Sequence, residues 1–123
     1  MSKNILVISA SLRNGSNSDM LADEFMRGAL ESGNKAEKIT LRGKNINFCK
    51  ACLACQKTGK CVINDDMAEI LPKMQQADVI CFASPVYFYD MCGQLKTFLD
   101  RTNPLFPAEY NFTDIYFLLT AAD

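Results

Sequence analysis

Asn4 to Ser9 (NILVIS) is a near-continuous apolar run that ends in a small polar residue. Such a run predicts a short strand buried on both faces. After a polar stretch, Leu21, Phe25, Ala29 and Leu30 recur at helical spacing, with Ser18 at the N-cap position and Gly33 just past the end. Lys35 to Leu41 alternates weakly. Lys35, Glu37 and Lys38 place that strand at a sheet edge, because a doubly covered strand has no room for such charges. Asp65 and Asp66 lead into the stripe Met67, Ile70, Leu71 and Met74, with acids where the helix dipole favours them. Pro72 lacks the N–H of a helix interior, so a kink or a late helix start is expected there. Asp78 to Ser84 reads as another buried strand, followed by an aromatic loop, a helix over Gly93 to Arg101, a loop with Pro104 and Pro107, and a last strand over Asp114 to Thr120.

Strands separated by helical patterns are βαβ units, which predict a doubly wound α/β fold with a parallel sheet and helices on both faces. Every strand-to-helix connection in such a sheet leaves from the carboxyl edge, so the loops after the first three strands converge there. In this sequence those three loops carry the unusual chemistry.

The 123 residues are 49% apolar and 22% charged, with a net charge of −1, the profile of a single domain over 1–123. Near-neutral charge without a basic stripe argues against a nucleic-acid surface. The apolar runs are strand-sized, far short of the about 20 residues a spanning helix needs, so no membrane segment is expected. Histidine is absent, which removes His-dependent triads and mixed Cys/His zinc sites. Four of the six cysteines crowd between Cys49 and Cys61. The residues after Met1 do not form a signal-type segment, so a cytoplasmic, reducing setting is expected, where clustered thiols bind metal or act in redox chemistry.

The first loop, ASLRNGSNS from Ala10 to Ser18, offers hydroxyls, an amide, Arg13 and Gly15 beside a helix N-terminus, an arrangement suited to an anion. Neither a Walker-type nor a dinucleotide glycine motif is present, which leaves a single terminal phosphate such as that of FMN, or an ordinary capped turn. The third loop, SPVYFYD, sets Tyr87, Phe88 and Tyr89 next to Pro85; flat side chains at a sheet edge can pack on a ring system, or on a core or subunit interface. The second loop, within a cysteine-rich insert over 48–64, has the pattern C-x2-C-x2-C-x5-C in Cys49, Cys52, Cys55 and Cys61. That spacing suits a cubane iron-sulfur cluster; structural zinc and a thiol-disulfide pair are its competitors. Cys81 reads as a small buried hydrophobe, and Cys92 sits near a helix start.

Taken together, SASLRNGSNS, CKACLACQKTGKCVINDDM and ASPVYFYDMCGQLKTFLDR resemble, in order and spacing, the iron-sulfur flavoproteins, relatives of NADPH-dependent FMN reductases and multimeric flavodoxins. The resemblance implies a flavodoxin-like sheet of strand order 2-1-3-4 and FMN at the switch point between strands one and three. By position, Ser11, Arg13, Ser16, Asn17 and Ser18 would hold the FMN phosphate, and Pro85, Val86, Tyr87, Phe88 and Tyr89 would frame the ring. Cys49, Cys52, Cys55 and Cys61 would ligate a [4Fe-4S] cluster. The family's domain continues with a further helix, a fifth strand and a closing helix, whereas this sequence stops after its fourth strand. The expectation is therefore an incomplete domain whose flavin lacks a wall near Ala121 to Asp123; were the chain complete, its apolar last strand would be expected to drive homo-oligomerisation or to take a strand from a partner.

Three functions follow as expectations. The first is an FMN and [4Fe-4S] electron-transfer oxidoreductase, supplied by NAD(P)H or by ferredoxin and needing no side-chain acid or base, with Lys50, Lys57 and Lys60 stabilising a reduced cluster or steering an acidic partner. The second is an FMN-only NAD(P)H-dependent reductase of quinones, nitro compounds or flavin. The third is a zinc-stabilised, non-catalytic flavodoxin-like module.

Overall fold

The computed structural model describes residues 2–121. Of the expected flavin wall at Ala121 to Asp123, positions 122 and 123 lie outside the described residues. Strands β1 (Asn4–Ser9), β2 (Lys35–Thr40), β3 (Val79–Tyr87) and β5 (Asp114–Thr120) form one parallel sheet in the order β2-β1-β3-β5. In strand-count terms this is the expected 2-1-3-4. The register is fixed by pairs such as Ile5 with Ala36, Ile5 with Val79 and Phe82 with Phe117. A two-residue strand, β4 (Asp90–Met91), folds back antiparallel onto Val86 and Tyr87. The helices are α1 (Asn17–Glu31), α2 (Ala54–Thr58), α3 (Met67–Gln76) and α4 (Gly93–Asp100), followed by a 3-10 turn at Asn103–Leu105.

Alternation along the central strands divides the core in two. Ile5, Val7, Val79, Cys81 and Ala83 face α1, whose Ala22 and Ala29 are buried against them with Phe25 and Met26 partly covered. Leu6, Ile8, Ile80 and Phe82 face the other way, onto α3 and α4 through Met67, Ile70, Met74, Leu95 and Phe98. Both faces of β1 are therefore sealed, as its continuous apolarity predicts. β2 stands at the edge, and Lys38 on it is half-buried in ion pairs to Asp19 at 2.8 Å and Asp23 at 2.6 Å.

Several expectations are corrected. Helix α1 is capped by Ser16, whose Oγ accepts from Asp19 N, while Ser18 lies inside the first turn and is buried. The apolar stripe is rotated: Leu21 and Leu30 are exposed and Ala22 is fully buried, because only a small side chain allows close approach to the sheet. Gly33 adopts φ +86° and ends the helix with Asn34 N donating to Ala29 O, as expected of a glycine past a helix. Helix α3 starts at Met67 and runs through Pro72. Pro72 and Ala68, whose carbonyl loses its partner, are both exposed, so water can satisfy that carbonyl.

Phe98 is fully buried and meets Phe82 edge-on at 6.3 Å between ring centroids. Phe98→Ala is expected to cost about 3 to 5 kcal/mol, read as a shifted urea midpoint with an unchanged slope.

Candidate functional site

The connection after β1 and the hairpin after β3 leave adjacent parallel strands at the same carboxyl edge. Ala10 N donates to Ala83 O at 2.8 Å, and Gln94 Nε2, on the first turn of α4, donates to Ala10 O at 2.8 Å, so the loops are tied together at their bases. In the first loop Ser11 is buried and its hydroxyl both accepts from Arg13 N at 3.2 Å and donates to Arg13 O at 3.1 Å. Ser16 Oγ also donates to Ser11 Oγ. Those hydroxyls shape the loop, with Gly15 at φ +72°. Arg13 and Asn17 are exposed, and among the described residues Arg13 makes no ion pair.

Two buried groups sit under this helix N-terminus. Asp19 accepts from Ser9 Oγ at 2.7 Å and from Lys38, and its second oxygen receives Gly15 N. Burial works against both charges, but pairing outweighs it, so Asp19 lies below and Lys38 above its ordinary pKa. Ser18 Oγ, in contrast, is buried with no hydrogen-bond partner. A buried hydroxyl without a partner is costly, and at a helix N-terminus it is the chemistry that an oxyanion completes. On this observation the first loop fits a phosphate.

At the third loop, β3 extends beyond the expected Ser84, so Pro85, Val86 and Tyr87 are strand residues and Phe88 and Tyr89 form a two-residue turn. Both turn residues take left-handed φ, 48° and 65°, the geometry of a tight hairpin that normally selects Asn and Gly. Their rings lie 5.6 Å apart and are 94% and 95% exposed. The aromatic face therefore projects from the sheet edge beyond Tyr87, which is itself half exposed.

In the second loop all four clustered cysteines line one cavity of about 80 Å³, closed by Asp100, Arg101, Asn103 and Pro104. The chain winds through it with left-handed backbone at Ala51 and Leu53. Cys49 Sγ accepts from Ala51 N and Cys61 Sγ from Ile63 N, both at 3.4 Å, and Cys55 Sγ accepts from Asn103 Nδ2 at 3.2 Å. The six cysteines are free thiols. Among the described residues no three His, Cys, Asp or Glu side chains are gathered tightly enough to hold one metal ion. The donor set, its shared cavity and its N–H to sulfur bonds nevertheless suit a group that takes one thiolate at each corner. Cys81 is buried mid-strand as expected, and burial pushes its thiol up to about 11. Cys92 is buried at the N-cap of α4 beside Ser84 Oγ. Lys50, Lys57 and Lys60 are exposed around the loop.

What the sequence reading missed is the clamp beneath this loop. Arg101 is 1% exposed, and its guanidinium meets the buried Asp65 carboxylate through Nη1 at 2.7 Å and Nη2 at 3.0 Å. Nη1 also donates to Asn47 O at 2.9 Å and Nη2 to Ile63 O at 3.5 Å. Asp65 further accepts from the N–H groups of Asn47 and Met67, so the acid that starts α3 is a loop anchor as well as a dipole partner. Asp66, at the N-cap position, accepts no bond from α3 and instead receives Asn45 N. The available signal was a pair of acids, Asp65 and Asp66, four and five residues after the last clustered cysteine, together with an arginine directly after an amphipathic helix.

The parallel order β2-β1-β3-β5, with loops meeting at the carboxyl edge between β1 and β3, defines a flavodoxin-like fold. The model of the NADPH-dependent FMN reductase family matches residues 3–122, and the chain belongs to that family. It is 43% identical over 101 residues to an iron-sulfur flavoprotein of Methanocaldococcus jannaschii, covering 82% of this chain and 52% of that protein. It is 39% identical over 95 residues to an iron-sulfur flavoprotein of Methanosarcina thermophila, covering 77% of this chain and 50% of that protein. The chain thus spans about half the length of the curated relatives it matches. An NAD(P)H:quinone oxidoreductase from Methanothermobacter marburgensis superposes with a TM-score of 0.79 at 17% identity, over 98% of this chain and 68% of that one, a likeness of fold. No helix among the described residues is long and apolar enough to cross a membrane.

Burial raises the Asp65 carboxyl, but the Arg101 bonds and the two backbone donors outweigh it and hold it at about 2, below the ordinary 3.8. A depressed carboxyl stabilises the fold fully above its unfolded value and loses that contribution as pH falls through its folded value. Asp65→Asn is expected to cost about 3 kcal/mol near neutral pH, by urea unfolding, and to flatten the loss of stability between pH 3.8 and about 2.

Proposed function

We propose that the chain carries the cofactor-binding machinery of an FMN-dependent oxidoreductase of the iron-sulfur flavoprotein type. The single observation that carries this reading is the buried, unpartnered Ser18 hydroxyl at the N-terminus of α1, beside an exposed and unpaired Arg13. Ser11, Arg13, Ser16, Asn17 and Ser18 hold the FMN phosphate, with the helix dipole and Arg13 offsetting its charge. Pro85, Val86, Tyr87, Phe88 and Tyr89 frame the ring, the exposed aromatic pair supplying apolar area that binding covers. Cys49, Cys52, Cys55 and Cys61 hold a [4Fe-4S] cluster. The C-x2-C-x2-C-x5-C spacing, with all four thiols on one cavity, favours a multi-iron group over zinc, whose four-cysteine sites usually pair two C-x2-C knuckles across a longer loop.

When bound, FMN would supply both two-electron and one-electron redox chemistry, which would couple a donor such as NAD(P)H to a one-electron carrier. The protein's task is to seat and orient, and no titrating acid or base is needed at the ring. The exposed lysines around the cysteines suit an acidic electron-transfer partner such as ferredoxin. Apolar side chains exposed on β5, Ile115, Tyr116, Phe117 and Leu119, support assembly into a homo-oligomer.

The test is the visible spectrum of protein expressed with added iron and purified without oxygen. Flavin bands on a broad shoulder that fades on reduction are expected; flavin bands alone mean an FMN-only reductase, and no colour overturns the reading. A finer test is Ser18→Ala, which is expected to weaken FMN about tenfold, measured by quenching of flavin fluorescence, while leaving the flavin-free protein equally or more stable.

A further inference from the structure

The Arg101 side chain is the largest that is fully buried, yet the ion pair with Asp65 does not exhaust it. Its Nη1 and Nη2 donors are engaged by Asp65, Asn47 O and Ile63 O, whereas Nε–H is buried with no acceptor. An unspent charged donor in the interior is among the more costly defects a fold can hold, and it calls for an acceptor. Arg101 lines the cavity that Cys49, Cys52, Cys55 and Cys61 also line, and Cys61 shares the lining of a second, neighbouring cavity with it. The four cysteines make sulfur the most abundant acceptor chemistry of the first cavity, since the Asp100 carboxylate on its lining is already paired with Lys96.

We propose that Arg101 is a positioning residue for the sulfur-ligated group, with Nε–H donating to sulfur at the Cys61 side of the cavity and its charge raising the reduction potential there. The inference rests on the iron-sulfur reading given above. Reduction adds one electron to the thiolate-held group without a proton, so the group becomes more negative. A buried cation and a donated hydrogen bond stabilise that reduced form more than the oxidised one. Asp65 opposes the effect by neutralising part of the Arg101 charge while fixing the guanidinium in place. The pair therefore sets the potential as a balance, with the two members pulling in opposite directions.

The experiment is an anaerobic dithionite titration of the chain reconstituted with iron and sulfide, followed by electron paramagnetic resonance. Unmodified protein is compared with Asp65→Asn and with the double variant Asp65→Asn/Arg101→Gln, which removes both charges and so avoids a lone buried carboxylate. Asp65→Asn is expected to shift the midpoint upward, and the double variant to shift it below that of the unmodified protein. Equal midpoints, or shifts of both variants in the same direction, overturn the proposal and leave the iron-sulfur reading intact. Failure of the unmodified chain to take up iron and sulfide overturns both.

Discussion

The buried ion pair between Arg101 and Asp65 is the constraint on which the arrangement of the cysteine loop depends. The loop between Asn45 and Asp66 contains little regular structure, only the five-residue α2, and its large apolar side chains Phe48, Leu53 and Val62 are exposed. It cannot be held by a core of its own. Instead its neck is closed by Asn45 with Asp66 and Asn47 with Asp65, and Arg101, at the end of α4, inserts a cation between the two ends of the neck. Burying two charges is costly, and such pairs are seldom the cheapest way to stabilise a fold. What the pair supplies is directional: a planar guanidinium with several donors fixes a loop's position and angle in a way that apolar contact does not.

A second polar device serves the opposite face of the sheet. Asp19 sits in the first turn of α1, where the helix dipole favours an acid, but beside a loop proposed to bind phosphate an uncompensated carboxylate would repel the ligand. Lys38, reaching across from β2, removes that conflict by pairing with Asp19 and Asp23, and Ser9 completes the carboxylate's bonding. The dipole and the free Arg13 are thereby left to act on an incoming anion. The two devices share a logic. Each uses a charge from a neighbouring element to fix the start of a helix next to a ligand-bearing loop, and each leaves one polar group unsatisfied, Ser18 Oγ in one and Arg101 Nε in the other.

The parts of the fold legible in the sequence were those with a strong period or a forced backbone. NILVIS, DVICFAS and DIYFLLT could only be strands, and the charges of KAEKIT put it at the edge; the structure agrees to within a few residues. Helix α1 was placed correctly, but its start was not, because Ser16 and Ser18 are chemically equivalent caps and only the carboxylate three residues after Ser16 distinguishes them. The buried face was misread at Leu21 for the same local reason: hydrophobicity favours Leu over Ala22, whereas the spacing between helix and sheet favours Ala. Pro72 was overweighted, since its cost depends on whether water reaches the orphaned carbonyl, which sequence does not disclose. The four cysteines were visible as a pattern. The Arg101 and Asp65 clamp was not, because it joins residues 36 positions apart whose pairing is a tertiary fact.

The aromatic hairpin is where local preference and the observed structure conflict most. A tight turn with left-handed φ at both positions is the natural place for Asn-Gly, and bulky side chains there cost energy that the hairpin's own contacts, one ring against the other, do not return. Two nearly fully exposed aromatic rings add a hydrophobic penalty to the backbone one. Neither cost is offset by core packing, since Phe88 and Tyr89 lie outside both clusters that flank the sheet, and only Met91 of the return strand packs against one of them. Local strain of this kind persists where the surrounding structure imposes it and where something outside the chain makes use of it. Here β3 imposes it, because the strand continues through Pro85 to Tyr87 and turns only when the sheet edge has been passed. The consequence is that the rings stand above the carboxyl edge, on the strand adjacent to the one that feeds the phosphate-type loop. A ligand with an anion at one end and a flat apolar ring at the other satisfies both features at once, whereas a plain phosphate would leave the hairpin unexplained and a plain aromatic would leave Ser18 without a partner.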